Sequence, residues 1–364
     1  MFELTNEQRK CFCLLPVDAA WKKVIVKPSP YDDFITYAYL EGHRVRKVIL
    51  VNDAENENFR YSELEIDAVL SEDETKLLPK TDKGKEKLFS SSNLLKYTAT
   101  GMALQYNKKY LSLTNYTGYR DFFHSGYDDP NICSLESFRA WVEDWCRNTG
   151  EKELAELKTF ADTGRIHQKY REGDFFRYRI NRKLYGYGRI LLDFEQMRKK
   201  KIPFWDIFMG KPLCAAVYHI VTERADVTPD ELIGLPLMPS HMIVDDAFFY
   251  GEYQIIGNAP LTEAERDYPI HYGKTIQMGA KGVRYQCGKT YIILEDAQAL
   301  DNRFRNNGIG WHLKVKLPVL EKCIEAHSNQ PYWDMYLQGI VDADLRNPKY
   351  SDILQRIKTQ VGII

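Results

Sequence analysis

Along the first third of the chain, apolar and polar residues alternate with the period of two that marks half-buried β-strands. "WKKVIV", closed off by Pro28 and Pro30, reads as one strand, and "FITYAYLEGHRVRKVILV" as two runs about a turn at Glu41-Gly42-His43. "LEIDAVL" adds another. Ser71 to Lys87 is charged and poor in aromatics, which predicts an exposed loop, and "MALQYNKKYLSLTNY" predicts a hairpin turning at Asn107-Lys108. The period then changes. In "SLESFRAWVEDWCRN", Leu135, Phe138, Trp141, Val142 and Trp145 recur at helical spacing behind Ser134, a suitable N-cap. "EKELAELKTFADTG" repeats the pattern through Leu154, Leu157 and Phe160, with Gly164 placed to end the helix in the left-handed conformation.

After Gln168 the strand period returns. "GDFFRYRINRKLYGYGRILLD", Gly173 to Asp193, predicts a hairpin with Phe176, Tyr178 and Ile180 on one face and Phe175, Arg177 and Arg179 on the other. On its returning strand Leu184, Ile190 and Leu192 share a face whose middle positions are Gly186 and Gly188, so large rings come to lie opposite bare backbone. "PLCAAVYHIV" reads as a buried strand, "SHMIVDDAFFYGEYQIIG" as two, and "VRYQCGKTYIIL" as more. "VTPDELIGLP" reads as a short helix with Thr228 as cap and Pro229 in the first turn. "KLPVLEKCIEAH", "QPYWDMYLQGIVDADL" and "YSDILQRIKTQV" have helical spacing. A chain of 364 residues exceeds the usual single core. The pattern predicts an α+β protein: a β-rich domain ending in two helices at 1–168, a second β-rich domain at 169–300 with barrel-like closure open to it, and a helical segment at 301–364.

Composition alters this picture little. An apolar share of 44% and a charged share of 28% are ordinary for a globular protein, while 24 Tyr and 17 Phe suit β-sheet surfaces and binding faces. A formal net charge of −1 argues against a molecule-wide match to nucleic acid. Locally the charge is split: 12 Arg or Lys against 4 acids between Arg165 and Lys201, and 10 acids against 2 arginines between Glu223 and Asp267. The 7 cysteines are scattered and odd in number, which predicts free thiols in a reducing compartment. Cys11 and Cys13 have no second pair to complete a metal site, so no metal is expected. Glu3, Glu7 and Pro16 disagree with a signal peptide, and no apolar run reaches the roughly 18–20 residues of a membrane span, so a cytoplasmic protein is expected.

Spacing tests remove most candidate chemistry. Gly186 and Gly188 lack the third small residue of a dinucleotide loop, and Gly282 stands one residue too far from Gly288-Lys289-Thr290 for a P-loop. His241 and Asp245 would share a face of a strand "HMIVDD", the minimum for an oriented imidazole. His219, His271, Asp246 and Glu252 complete the polar candidates, and no G-x-S-x-G or H-E-x-x-H accompanies them. Neither a catalytic residue nor a cofactor is therefore predicted, and a hydrolase ranks third among the readings. Arg177, Arg179, Arg182, Lys183 and Arg189, interleaved with Phe175, Tyr178, Tyr185 and Tyr187, keep a nucleic-acid-binding hairpin as the alternative.

Taken in order, "EGDFFRYRINRKLYGYGRILLD", "KIPFWDIFMGKPLCAAVYHIVTE", "YGEYQIIGNAPL", "DYPIHYG" and "VRYQCGK" resemble the immunity protein 26 family, small bacterial domains of polymorphic-toxin loci. The elements that carry the resemblance are Gly173-Asp174, the hairpin from Tyr185 to Arg189, the strand entry from Met209 to Leu213, and Ile255 to Asn258. It spans Tyr170 to Thr290 and implies a non-enzymatic cytoplasmic protein that binds and neutralises a protein toxin. It carries over no binding residues. Because many toxins are basic nucleases, the acidic stretch is the expected docking face, through Asp245, Asp246 and Glu252. Arg179, Arg182 and Lys183 form the second candidate partner-binding group, and the oligomeric state is left open.

Overall fold

The computed structural model describes residues 2–53, 58–107, 110–201, 211–275, 281–305, 309–313, 315–335 and 343–363. Lys108 of the expected turn, Met209 and Gly210 of the expected strand entry, and Tyr336 to Asp342 of an expected helix lie outside them. The chain divides into two compact units, Met1–Ile166 and His167–Ile364.

The first unit is built on strands β1 (Lys22–Ile25), β2 (Ile35–Glu41), β3 (Arg44–Asn52), β4 (Arg60–Leu70), β5 (Lys76–Leu78), β6 (Lys87–Leu88), β7 (Thr100–Asn107), β8 (Tyr110–Asn115) and β9 (Arg120–His124), with helices α1 (Asn6–Cys11), α2 (Ser91–Leu94), α3 (Leu135–Arg147) and α4 (Glu151–Asp162). The main sheet runs β1-β2-β3-β4-β7-β8-β9, and β5 branches from β4 to pair with β6. All these strand pairs are antiparallel. Alternation divides the side chains between two cores. Ile49, Tyr61, Leu104, Tyr106 and Leu113 bury with Phe138, Val142 and Trp145 of α3, whereas Val48, Leu50, Leu64, Ile66 and Ala103 bury with Leu94 of α2. Ser134 caps α3 by accepting the Ser137 N–H at 3.2 Å.

Two local expectations are corrected here. Ser71 to Lys87 is not simply a loop: it contains β5, whose Leu77 is buried because β5 pairs with β4. Helix α4 ends at Thr163 in extended backbone, and Gly164 is not left-handed.

The second unit contains β10 (Asp174–Arg179), β11 (Tyr185–Asp193), β12 (Pro212–Thr222), β13 (His241–Val244), β14 (Gln254–Asn258), β15 (Ile270–Lys274), β16 (Val283–Cys287) and β17 (Thr290–Leu294). Its helices are α5 (Glu195–Lys199), α6 (Pro229–Leu232), α7 (Asp246–Tyr250), α8 (Leu317–Glu325), α9 (Gln330–Met335) and α10 (Ser351–Gln360). A five-stranded antiparallel sheet runs β13-β12-β11-β10-β14, and a three-stranded one runs β15-β16-β17. Neither closes among the described residues, so the second β-rich region is a pair of open sheets and not a barrel. The whole is mixed α+β with a helical C-terminus. Ile357 of α10 and the following Val361 share a core with Tyr272, Val283 and Tyr285 of the smaller sheet, which buries the apolar stripe that predicted α10.

Candidate docking surface

The β10–β11 hairpin sets the geometry of the second unit. Its register places Tyr178 opposite Gly186 and Phe176 opposite Gly188. A Cβ on Gly186 would lie 2.3 Å from the Tyr178 ring, and one on Gly188 2.2 Å from the Phe176 ring and 2.6 Å from the Ala216 carbonyl oxygen. The glycines are therefore packing positions, and Phe176 in turn stacks on Tyr253 at 5.1 Å between centroids.

On the other face, the arginines of the basic run are spent inside the protein. Arg189 is 1% exposed. Its guanidinium lies 3.7 Å over the Phe175 ring, donates to the carbonyls of Ala259 (2.9 Å) and Pro260 (3.1 Å), and pairs with Glu265 at 3.2 Å. Arg177 donates to the Ala225 carbonyl and to Gln254. Arg179 reaches the Arg182 carbonyl and the Tyr185 hydroxyl, both at 2.8 Å, and covers the Tyr185 ring. Arg182 is half-buried at the hairpin end and Lys183 is exposed there.

The three candidate carboxylates occupy different environments. Strand β13 ends at Val244, so the alternation expected to join His241 to Asp245 stops one residue short. Asp245 instead opens α7: its main-chain oxygen accepts the N–H groups of Phe248 (3.0 Å) and Phe249 (2.8 Å), and Oδ1 accepts the Lys211 N–H at 3.1 Å. Asp245 is 7% exposed and is not a surface group. Burial, reinforced by the charge of Asp245, holds the Tyr170 phenol well above its usual range. Nε2 of His241 lies 3.2 Å from the Tyr332 hydroxyl, so His241 and Asp245 are turned to separate partners. Asp246 is half-buried, and burial followed by the charge of Asp245 raises its carboxyl pKa. Glu252, also half-buried, lies 3.7 Å from Nδ1 of His312, whose pKa burial lowers, so this contact joins a carboxylate to a neutral imidazole at neutral pH.

The exposed acids of the stretch lie elsewhere, at Glu223, Asp226, Asp230 and Glu231 around α6, and at Glu263 and Asp267. Arg224 bridges Asp226 (3.1 Å) and Glu231 (2.7 Å). Glu231 also accepts the Thr228 N–H at 2.9 Å, and these hydrogen bonds, that of Arg224 foremost, hold its carboxyl pKa down to about 2. No motif in the sequence singles out these residues. The signal that finds them is the charge count combined with the Thr228-Pro229 helix start, which keeps nearby polar groups at the surface.

A further polar cluster is internal. Arg346 donates to Asp344 (2.6 Å), Asp267 (2.7 Å), the Ser240 carbonyl (2.9 Å) and the Ser240 hydroxyl (3.0 Å). Among the described residues, no group of three or more His, Cys, Asp or Glu is arranged to hold a metal ion, and no helix is long and apolar enough to cross a membrane.

No curated protein and no solved structure matches the chain. The family comparison is positive, and it falls on the larger sheet of the second unit: residues 171–281, which carry β10 to β15, match the model of the family described as Immunity protein 26.

Proposed function

We propose that the chain is a bacterial immunity protein whose second unit binds a cognate protein toxin in the cytoplasm and neutralises it by occlusion, with no chemistry of its own. The observation that carries this reading is the family match over 171–281, whose segment includes the hairpin, the neighbouring strand β12 and the acidic stretch. In support, the polar groups that would have to converge in a hydrolase, His241 and Asp245, are bound to Tyr332 and to the Lys211 N–H. The nucleic-acid reading loses its main reagents, because Arg177, Arg179 and Arg189 are consumed by internal hydrogen bonds.

The docking face we assign is the exposed acidic surface about α6, from Glu223 to Glu231, with Asp246 and Glu252 contributing at partial exposure. Four acids against Arg224 leave this segment negative, which suits a basic toxin and would speed encounter more than it tightens the final complex. The hairpin end, with half-buried Arg182 and exposed Lys183, is a secondary contact. Asp245 serves the face by starting α7 and not by touching the partner.

The test is to look for a toxin reading frame adjacent to this gene and to co-express the chain with its product. Rescue of growth and co-purification are expected, and failure of both overturns the immunity reading. With that toxin in hand, Asp226→Asn combined with Asp230→Asn is expected to slow association at low salt by about tenfold while leaving dissociation nearly unchanged. An unchanged association rate would move the docking face elsewhere.

A further inference from the structure

Every sheet edge is a row of unpaired backbone donors and acceptors, and folded proteins normally blunt it with charge, a bulge, short length or a cover. Most edges of this chain show such a device. β1 carries Lys22 and Lys23, β6 is a two-residue strand, and β9 carries Arg120 and Asp121 beside a register shift in its pairing. β13 is bridged by Gly310, which accepts the Val244 N–H at 2.9 Å and donates to the Met242 carbonyl at 3.0 Å. β14 is bulged against β10, has Pro229 of α6 against Gly257, and has its Ile255 N–H bonded to Gln168. β15 is covered by Phe304, whose carbonyl accepts the Tyr272 N–H at 2.9 Å, and by Asn302, which accepts that of Lys274 at 2.8 Å.

β17 is different. It pairs with β16 in unbroken register and ends the smaller sheet, with no further strand beside it among the described residues. Its residues, Thr290-Tyr291-Ile292-Ile293-Leu294, include no charge, proline or glycine, and Ile293 is 38% exposed. The flanking residues are Lys289 and Glu295, both exposed.

We propose that β17 pairs antiparallel with β17 of a second copy of this chain, about a two-fold axis through Ile292, joining two three-stranded sheets into one of six. The sequence is self-complementary in that register alone. Ile292 meets its own copy, Tyr291 lies across Ile293, Thr290 across Leu294, and Lys289 across Glu295. The aromatic–β-branched pair and the opposite charges are both favourable cross-strand partners, and the symmetry supplies each of them twice. A slip of two residues would lose the Tyr291–Ile293 pairs and break both ion pairs. Lys289, 64% exposed, now lies 3.2 Å from Glu172 on the surface and is free to exchange partners. The interface uses residues outside the segment 171–281, so it stands or falls independently of toxin binding.

The experiment is sedimentation velocity of the full chain from about 1 to about 100 µM, where a dimer is expected to populate. Lys289→Glu sets Glu against Glu295 of the other copy at both ends and is expected to raise the dimer dissociation constant roughly tenfold, as is Glu295→Lys. Both positions are exposed, so neither change disturbs the core. The combined variant restores opposite charges and is expected to return within about twofold of the parent. Ile293→Lys, which puts a charge in the middle of the edge, is expected to give monomer throughout. A parent chain that stays monomeric overturns the proposal and leaves the edge to a foreign strand. A dimer indifferent to both charge reversals overturns it as well, by placing the contact on another face.

Discussion

The two units fasten a terminal stretch of chain in the same way but with opposite polarity. In the first unit the hub is an anion. Glu63 of β4, 1% exposed, accepts Arg9 Nε at 2.7 Å, Lys47 Nζ, and the Tyr61 hydroxyl at 2.6 Å. Arg9 continues to Glu3 at 2.8 Å, which also accepts from Lys23 (2.6 Å) and Tyr39 (2.5 Å), while Lys47 reaches the Leu15 carbonyl. The stretch from Glu3 to Leu15 is thereby tied to the sheet by charge as well as by Phe12 and Leu14. In the second unit the hub is a cation: Arg346 ties the chain before α10 to Ser240 and Asp267. Burial opposes its charge, but Asp344 and Asp267 outweigh burial and hold the guanidinium protonated far above the usual range. Around Lys47 the balance runs the other way, since burial outweighs Glu63 and lowers its pKa. The difference teaches which partner each hub can least afford to lose. Removing Glu63 leaves Lys47 buried without an acid and Arg9 with Glu3 alone, whereas removing Arg346 strands only Asp344.

That ranking can be broken by substitution. Glu63→Leu is expected to cost the first unit about 3–5 kcal/mol, read from hydrogen exchange of the β3 and β4 amides, because Lys47 is left buried without a counter-charge, Arg9 keeps only Glu3, and the Tyr61 hydroxyl loses its acceptor. A loss below about 1 kcal/mol would mean that apolar packing of Phe2, Leu4 and Phe12 fastens the N-terminal stretch and the ions are incidental. Arg346→Met is expected to cost about 2–4 kcal/mol in the exchange of α10 and β16 amides. Asp344, 7% exposed, is stranded by that change, whereas Asp267, 48% exposed, is rehydrated. A loss larger than that of Glu63→Leu would reverse the comparison.

The hubs also show why sequence reading stopped where it did. The hairpin at Gly173 to Asp193, the Ser134 cap and the Thr228-Pro229 helix start were legible because period, cap and turn are properties of neighbouring residues. Ser71 to Lys87 reads as a loop because the burial of Leu77 is decided by pairing with β4, not by its own surroundings. The strand "HMIVDD" was read two residues too far, because the turn into α7 depends on the Asp245 carbonyl accepting from positions 248 and 249 and on Gly251 ending the helix at φ +79°. Alternation placed the hairpin arginines on their face correctly, but it could not supply the carbonyls of Ala259 and Pro260 that consume Arg189. The hub contacts lie farther still from local pattern, with Arg9 and Glu63 separated by 54 residues and Arg346 and Asp267 by 79. Of the candidate docking face, the charge was legible and the exposure was not.

The smallest expected effect separates the hubs by pH. His271 of β15 is 1% exposed, and burial, helped by the charges of Arg284 and Arg346 and opposed by Asp344, lowers its pKa to about 3. In the unfolded chain the ordinary value is about 6.5. Between those values the unfolded chain holds a proton that the folded chain does not. Stability of the second unit therefore falls as pH drops below 6.5, with a slope of up to roughly 1.4 kcal/mol per pH unit and about 2 kcal/mol lost by pH 5. The carboxylates of the hub act lower down: the pKa of Asp344 is depressed below its ordinary value, because Arg346 outweighs burial, so its contribution is intact above about pH 4 and is lost only below that. The interval from pH 6.5 to 5 thus separates the histidines from the hub carboxylates, while Asp121 of the first unit, whose pKa burial raises to about 6, acts there with the opposite sign. His271→Gln is expected to remove the His271 share of the slope in urea unfolding measured across that interval, leaving the smaller share of His219 and His312, whose pKa values burial also lowers. Equal slopes for parent and variant would show that His271 takes up its proton in the folded state, and that its surroundings tolerate a third buried positive charge beside Arg284 and Arg346.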